Sequence, residues 1–320
     1  MKVGIIGSGH IVSSVHLPLL SCIDNVNIEF IADRTNPLKL ANLYKTKSIK
    51  IENISNLPSC DIVLLAIPMS VKGKYIQEFA KRDCFIFTEK PFATNLEEHK
   101  NFLKLTDKIT CNYMRNYYNT TRHAKNIISS EAFGKIQKIS IVEGGIKGKT
   151  DLDKNSYQND PSISGGFLKD SASHTFSQLH FLFDKISVQD ANIIWENNFD
   201  IETNAILDVN YNDSSFYINY IGTQLKNIEP RTTLFFDNYN IQFNHLIPDS
   251  IFTISMLNSD KQFTLQQKSS FASTFSQAYY LKWMDFLEKV LSSSQIDSET
   301  ETSIMTTKII NDIIQKGSKK

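Results

Sequence analysis

"KVGIIGSGHIVSSVHLPLL", residues 2–20, is a short apolar run broken by Gly7-Ser8-Gly9 and followed by a stretch that can carry a helix until Pro18 disturbs it. A strand, a glycine turn and a helix start in that order let the backbone approach a pyrophosphate, with N–H groups and the positive dipole end facing it. The string is weak by itself, because paired glycines recur in many loops and Val12 stands where a third glycine is usual. The next hundred residues settle the reading. "VNIEFIAD" (26–33) is a second strand, a helix lies around "NPLKLANLYKT" (36–46), and a short strand sits near "SIKI" (48–51). "CDIVLLAIP" (60–68) is too uniformly apolar for a half-exposed strand. "KGKYIQEFAKR" (72–82) reads as a helix and "CFIFTEKP" (84–91) as the next strand. "ATNLEEHKNFLKL" (93–105) opens on a capping box with Thr94 as cap and Glu97 as partner, and "ITCNYM" (109–114) closes the series. This alternation over residues 1–115 predicts a doubly wound parallel sheet of the Rossmann type.

In open parallel sheets ligands sit beyond the carboxyl ends of the strands. Gly7, Asp33, Pro68 and Lys90 each end a predicted strand and so share one rim. The expected cofactor-binding set is Gly7, Ser8, Gly9, His10, Ile11, Asp33, Arg34, Ile67, Pro68 and Glu89. Asp33 can accept hydrogen bonds from an adenosine ribose, while Arg34 leaves room for a 2′-phosphate. NAD is favoured over NADP. A nicotinamide cofactor carries the hydride, so the protein must orient the substrate and move the proton of the reacting hydroxyl. Lys90, delivered to the rim by Glu89-Lys90-Pro91, suits that task, since an amine beside a cationic ring sheds its proton more readily than one in water. A surface Glu-Lys pair in a turn is the alternative.

Residues 116–320 read as a second, α+β domain with a large, mostly antiparallel open sheet. "SGGFLKDSASHTFSQLHFLF" (164–183) places Leu168, Ala172, Phe176, Leu179 and Phe183 on one stripe of a single helix, which is a core face. Asp170 and His174 point together on the other side, beside Phe167 and Phe181, and suit a general base with an orienting partner. An ordinary helix-surface contact is the alternative, and His180 reads as structural. Alternating patterns from about 186 to 267 predict hairpins around Asn212–Ser215 and Asp237-Asn238. Phe216, Tyr217, Tyr220, Phe235 and Phe236 supply more apolar surface than one face consumes, which predicts a homodimer or homotetramer through this sheet. Two helices close the chain, one around "YYLKWMDFLEKVL" (279–291) and one opening at a capping box from Ser298 to Glu301 and stopping before Gly317.

Bulk properties exclude several classes. Lys+Arg and Asp+Glu both number 34 in 320 residues, so the basic excess expected for nucleic acid or an anionic membrane is missing. Cys22, Cys60, Cys84 and Cys111 form no Cys-x-x-Cys pair, which fits reduced thiols and no metal site. No secretory h-region comes after Met1-Lys2 and no apolar run is long enough to span a bilayer, so a cytoplasmic protein is expected.

The chain resembles the Gfo/Idh/MocA oxidoreductases at "GIIGSGHIVSSVHLPLL", "IADR", "CDIVLLAIP" and above all "TEKPFATNLEE", since Glu-Lys-Pro at that strand end is the family's hallmark. "CNYMRNYYN" is similar to the segment that crosses between the family's domains, and "FGKIQKI" to the opening of the second. The likeness implies that Lys90 is the catalytic or substrate-holding lysine. The family's Asp-x-Gly-x-His resembles Asp170 to His174, with Ala172 in place of glycine, which implies that His174 transfers a proton and Asp170 binds a sugar hydroxyl or orients Lys90. Tyr113, Arg115 and Tyr157 are candidate substrate binders. The expected activity is NAD(P)-dependent oxidation of a secondary alcohol of a sugar, cyclitol or nucleotide sugar, or the reverse reduction. A dinucleotide-binding regulatory protein without turnover, or a reductase of another carbonyl or imine, is the competing reading.

Overall fold

The computed structural model describes residues 1–145, 166–266, 271–292 and 297–317. The chain divides into two compact units, Met1–Asn112 with Lys282–Ile304, and Tyr113–Leu281 with Met305–Lys320.

The first unit is built on β1 (Lys2–Ile6), β2 (Asn27–Asp33), β3 (Lys47–Lys50), β4 (Ile62–Leu65), β5 (Phe85–Thr88) and β6 (Ile109–Cys111). They pair in the order β3-β2-β1-β4-β5-β6, every pair parallel. This is the doubly wound sheet the alternation predicts, and β4 is buried along its whole length, as its uniform run requires. Between strands lie a π-helical turn (Val12–His16) leading into α1 (Leu17–Leu20), then α2 (Leu38–Leu43), α3 (Met69–Lys81) and α4 (Leu96–Leu105). Pro18 does not end the helix. The π turn, in which Leu17 N–H bonds the Val12 carbonyl, resets the register so that Pro18 falls in the first turn of α1, where no donor is needed. The cap of α4 is Asn95, one residue beyond the predicted Thr94: its side chain accepts from Glu98 N–H, and the Glu98 carboxylate accepts from Thr94 N–H and hydroxyl, both at 2.7 Å. Asn95 is itself a strong capper, so two overlapping cap signals compete and the one with the acid at Glu98 wins.

The second unit holds α5 (Asn119–Ser130), β7 (Ile136–Gly144), α6 (Gly166–Asp170), α7 (Ala172–Leu182) and strands β8 (Lys185–Glu196), β9 (Phe199–Tyr211), β10 (Ser214–Thr223), β11 (Arg231–Phe236), β12 (Tyr239–Phe243), β13 (Phe252–Met256) and β14 (Gln262–Leu265). The eight-stranded sheet runs β14-β13-β12-β11-β7-β10-β9-β8, antiparallel throughout except for β7 against β10. Asn212-Asp213 turns β9 into β10 with both residues at positive φ, the mirror-image turn that matches strand twist, and Asn197-Asn198 does the same between β8 and β9. The predicted single helix over 164–183 is instead two segments meeting at Ser171. Its predicted stripe from Leu168 to Phe183 is buried against Leu207, Ile218 and Tyr220. Of the predicted aromatics, Phe216, Tyr220 and Phe236 enter this core, while Tyr217 is exposed and Phe235 half-buried, with the Lys138 ammonium over both rings.

α8 (Phe275–Ser292) begins in the second unit and continues in the first, where Trp283, Phe286 and Leu287 join the core of Val3, Ile5, Leu64 and Phe87. The Trp283 indole stacks on Phe87 with centroids 4.0 Å apart and planes 3° from parallel. A single cut near residue 115 therefore does not describe the first unit, because an apolar stripe near the chain end is consumed there. α9 (Asp297–Gly317) places Ile309, Ile310 and Ile313 in the second core and includes Gly317. The side chain of Ser298, half of the predicted capping box, lies outside the described residues.

Candidate active site

In the first unit, β1 and β2 deliver the glycine turn and the acid to neighbouring strand ends. Gly7 has φ +104°, and a Cβ there would lie 2.3 Å from the Ala66 carbonyl oxygen, so only glycine fits. A Cβ at Gly9 would meet nothing within 4 Å, which leaves open space against bare backbone where the turn enters its helix. Asp33 Oδ2 accepts from both Ser8 N–H and Ser8 Oγ at 2.7 Å, and its Oδ1 takes only a long contact from Thr35 N–H at 3.4 Å. His10 and Arg34 are exposed, and Ile11, Ile67 and Pro68 are half-buried. Val12, at the missing third glycine, is fully buried in the core, so it packs the helix on the sheet. Open backbone at Gly9 and an acid at the end of β2 fit a dinucleotide's pyrophosphate and ribose.

β5 runs directly into Glu89-Lys90-Pro91, and the Lys90–Pro91 peptide is cis. Glu89 is buried, and its Oε1 accepts from His16 Nε2 at 2.8 Å and Asn112 Nδ2 at 2.7 Å. Trp283 Nε1 donates to His16 Nδ1 at 3.0 Å, and an indole can only donate, so the His16 proton sits on Nε2 and points at Glu89. Burial alone pushes the Glu89 carboxyl up. The hydrogen bonds from His16 and the Asn112 amide, together with the nearby Lys90 charge, outweigh it and hold Glu89 below the usual carboxylate range. On the backbone side, the fully buried Lys72 ammonium donates to the carbonyls of Glu89 and Pro91, the latter at 2.5 Å. Its pKa is lowered to about 8 by burial. Lys90 itself is half-buried. The turn is thus gripped on both flanks of Lys90, which a solvated surface turn would not be.

In the second unit, Asp170 at the end of α6 and His174 on α7 are both more than nine-tenths buried, so they are not an ordinary helix-surface pair. The Tyr113 ring stands edge-on to His174 with centroids 6.2 Å apart, and Asn116 Nδ2 donates to Ser177 Oγ at 3.0 Å, tying the Tyr113–Tyr117 segment, Arg115 included, to α7. α6 is anchored by Asp200, whose carboxylate oxygens accept from Phe167 N–H and Leu168 N–H at 2.7 Å each. Burial raises the Asp200 carboxyl to about 6 against the pull of those N–H groups. Gly166 has φ +86°, and a Cβ there would sit 1.8 Å from Asp200 Oδ1, so only glycine fits at the start of α6. Beneath α7, buried Glu143 accepts from Thr175 Oγ1 at 2.9 Å and Tyr220 OH at 2.8 Å. Tyr157 and Gly165 lie outside the described residues.

The sequence reading missed His16, Lys72, Asn112, Glu143 and Asp200. For Lys72 a signal existed: it occupies the buried stripe of α3 between Met69 and Ile76, where a charge must find internal partners. The others carry no local mark. Among the described residues, no group of three or more His, Cys, Asp or Glu could hold a metal ion, and no helix is long and apolar enough to cross a membrane.

An all-parallel sheet in this strand order, with a glycine turn after its first strand and an acid ending its second, defines a dinucleotide-binding α/β protein. Residues 1–117 match the Gfo/Idh/MocA model, an oxidoreductase family with an NAD-binding Rossmann fold. It is 23% identical over 199 residues to the scyllo-inositol 2-dehydrogenase (NADP(+)) IolW of Bacillus subtilis (strain 168), a match spanning 61% of this chain and 55% of that relative's length. KijD10, a 3-ketoreductase from Actinomadura kijaniata solved with NADP and TDP-benzene, superposes with a TM-score of 0.81 at 15% identity, covering 99% of this chain and 97% of that one. Levoglucosan dehydrogenase, solved with NADH and levoglucosan, gives 0.82 at 15% identity, covering 100% and 97%. At that identity the likeness to both structures is one of fold.

Proposed function

We propose that the protein is a nicotinamide-dependent oxidoreductase that interconverts a secondary alcohol and a ketone on a sugar, cyclitol or nucleotide sugar. The observation that carries this reading is the double brace of Glu89-Lys90-Pro91 by Lys72, His16 and Asn112 at the end of β5, a strand whose sheet also presents Gly7 and Asp33 at the same edge. When bound, the dinucleotide supplies the hydride acceptor or donor. Gly7, Ser8, Gly9, His10 and Ile11 receive its pyrophosphate, Asp33 its ribose, and Arg34, Ile67, Pro68 and Glu89 complete the rim. The Asp33 carboxylate disfavours a 2′-phosphate and so favours NAD. Lys90 holds the reacting hydroxyl, His174 takes or returns its proton, and Asp170 binds a neighbouring hydroxyl. Tyr113, Arg115 and Tyr157 contact the rest of the substrate. The similar proteins, a scyllo-inositol dehydrogenase, a 3-ketoreductase solved with NADP and TDP-benzene, and a levoglucosan dehydrogenase, support this class.

Self-association through the open sheet is supported by the exposure of Ile194, Trp195, Ile206 and Tyr217, which leaves apolar surface for a second copy. The cysteines stand as thiols, which supports a cytoplasmic location. The test is a screen of nucleotide sugars and free polyols with NAD and NADP, read by nicotinamide absorbance. Lys90→Ala and His174→Asn should each abolish turnover while cofactor affinity is kept. Equal rates in variants and parent would return both residues to structural roles.

A further inference from the structure

Two cysteines at the far end of the first unit's sheet meet across neighbouring strands. Cys60 lies just before β4 and Cys84 just before β5, strands paired in parallel from Ile62 against Phe85. Their Sγ atoms are 3.8 Å apart. A disulfide needs about 2.05 Å, so the two sulfurs must move closer together for the bond to form. Nothing in the proposed oxidoreductase chemistry uses them, since Pro68 and Lys90 stand beyond the opposite ends of the same two strands. We infer that Cys60 and Cys84 form a thiol–disulfide exchange site, which a small-molecule disulfide such as glutathione disulfide converts to a reversible internal cross-link.

The two thiols are unequal in the way such exchange requires. Cys60 is half-buried and can be reached from solvent, whereas Cys84 is buried. Cys60 Sγ rests over Gly4, where a Cβ would lie 3.0 Å from it, so the missing side chain makes room for the sulfur. A hydrogen bond from Cys84, the Gly4 N–H and the positive charge of Arg82 hold the Cys60 thiol below its ordinary range, against burial and the nearby Asp61 carboxylate. Arg82 is fixed by the carbonyls of Leu57, Ile54 and Ser55 and by Glu78, so its charge stays in place. The hydrogen bond to Cys60 and burial push the Cys84 thiol up. Cys60 is therefore the attacking sulfur and Cys84 the resolving one.

The chemistry balances without another reactant. The Cys60 thiolate attacks one sulfur of glutathione disulfide, the S–S bond breaks, and one glutathione leaves as thiolate and takes up the proton Cys60 has shed. Cys84 then loses its proton and attacks Cys60 in the mixed disulfide, so that the second glutathione leaves and is protonated. Two electrons pass from the cysteine pair to the glutathione pair, and excess reduced glutathione reverses both steps.

The experiment treats the full folded chain with glutathione disulfide, blocks remaining thiols with an alkylating reagent and maps peptides by mass spectrometry. Exposed Cys22 reports that the reagent is active. The expected wild-type product is a Cys60–Cys84 cross-linked peptide pair, two hydrogens lighter than the reduced pair and lost on adding a dithiol. Cys84→Ser should stop at a glutathione adduct on Cys60, and Cys60→Ser should leave Cys84 unmodified. Recovery of both cysteines as alkylated thiols from wild type, while Cys22 carries glutathione, overturns the inference. So does a Cys60→Ser chain in which Cys84 reacts as fast as Cys60 does in wild type. The wild-type mapping needs no variant to fold.

Discussion

Asp33 Oδ2 accepts two 2.7 Å hydrogen bonds from a single residue, Ser8, one from its N–H and one from its hydroxyl. The acid that ends β2 thus shapes the glycine turn of β1, while its other oxygen, proposed above to meet a ribose, takes a long 3.4 Å contact from Thr35 N–H. Asp33→Ala should remove both effects. Charge-assisted hydrogen bonds contribute roughly 1.5–3 kcal/mol each, so NAD affinity is expected to fall by about ten- to a hundredfold, and NADP affinity by less. Titration of each cofactor by fluorescence checks this, and a larger loss for NADP would overturn the cofactor preference. Ser8→Ala, which keeps the N–H bond, should cost less than Asp33→Ala.

Lys72 holds the carbonyls of Glu89 and Pro91 from a fully buried position. Lys72→Met leaves both acceptors short of that donor and is expected to destabilise the fold by roughly 1–3 kcal/mol. It should also lower kcat more than it weakens cofactor binding, since the turn that carries Lys90 loses a brace.

The same lysine gives a pH signature. Its pKa is lowered from 10.5 to about 8, burial outweighing the nearby Cys111, Glu89 and Glu98, with Lys90 adding to the shift. Between those two values the unfolded chain holds a proton that the folded chain has released. Stability therefore rises as pH climbs from about 8 to 10.5 and is lost again as pH falls back. Urea midpoints across that window should show a rise in wild type that Lys72→Met lacks. Parallel curves would remove Lys72 as the source.

Gly166 cannot be replaced quietly. Its φ of +86° and the 1.8 Å approach of a Cβ to Asp200 Oδ1 mean that Gly166→Ala must either strain the backbone or break the anchor of α6. A cost of roughly 1–3 kcal/mol is expected. Asp170 ends the displaced segment, so turnover should fall while cofactor affinity, measured in the same preparation, stays unchanged. Asp200→Asn, which keeps an acceptor for one N–H, should be milder.

His180 is buried, and burial lowers its pKa to about 4 against a hydrogen bond to the Met305 carbonyl. The unfolded chain takes up a proton there that the folded chain refuses. This contribution to stability is present above pH 6.5 and is lost as pH falls toward about 4. His99, lowered to about 3 by burial, acts in the same direction. Asp200 acts in the opposite one between 3.8 and about 6, because its carboxyl is raised. Single-variant differences separate them: the denaturation midpoint of His180→Gln should drop less on acidification than that of wild type. An equal drop would place the sensitivity elsewhere.

The amino-acid sequence by itself determined the parallel sheet, the glycine turn, the acid at the end of β2, the lysine at the end of β5 and the buried stripe of α7. Each of these is a local pattern of period, turn chemistry or apolar run, and local patterns survive in one dimension. The break at Ser171, the shift of the α4 cap from Thr94 to Asn95 and the return of Trp283 to the first core were decided only by the tertiary structure. So were the partners that grip the Lys90 turn, because His16, Lys72, Asn112 and Trp283 come from four separate places in the chain. A buried polar group is stabilised by whichever donor or acceptor folding brings to it, and only the packed strands and helices determine which that is.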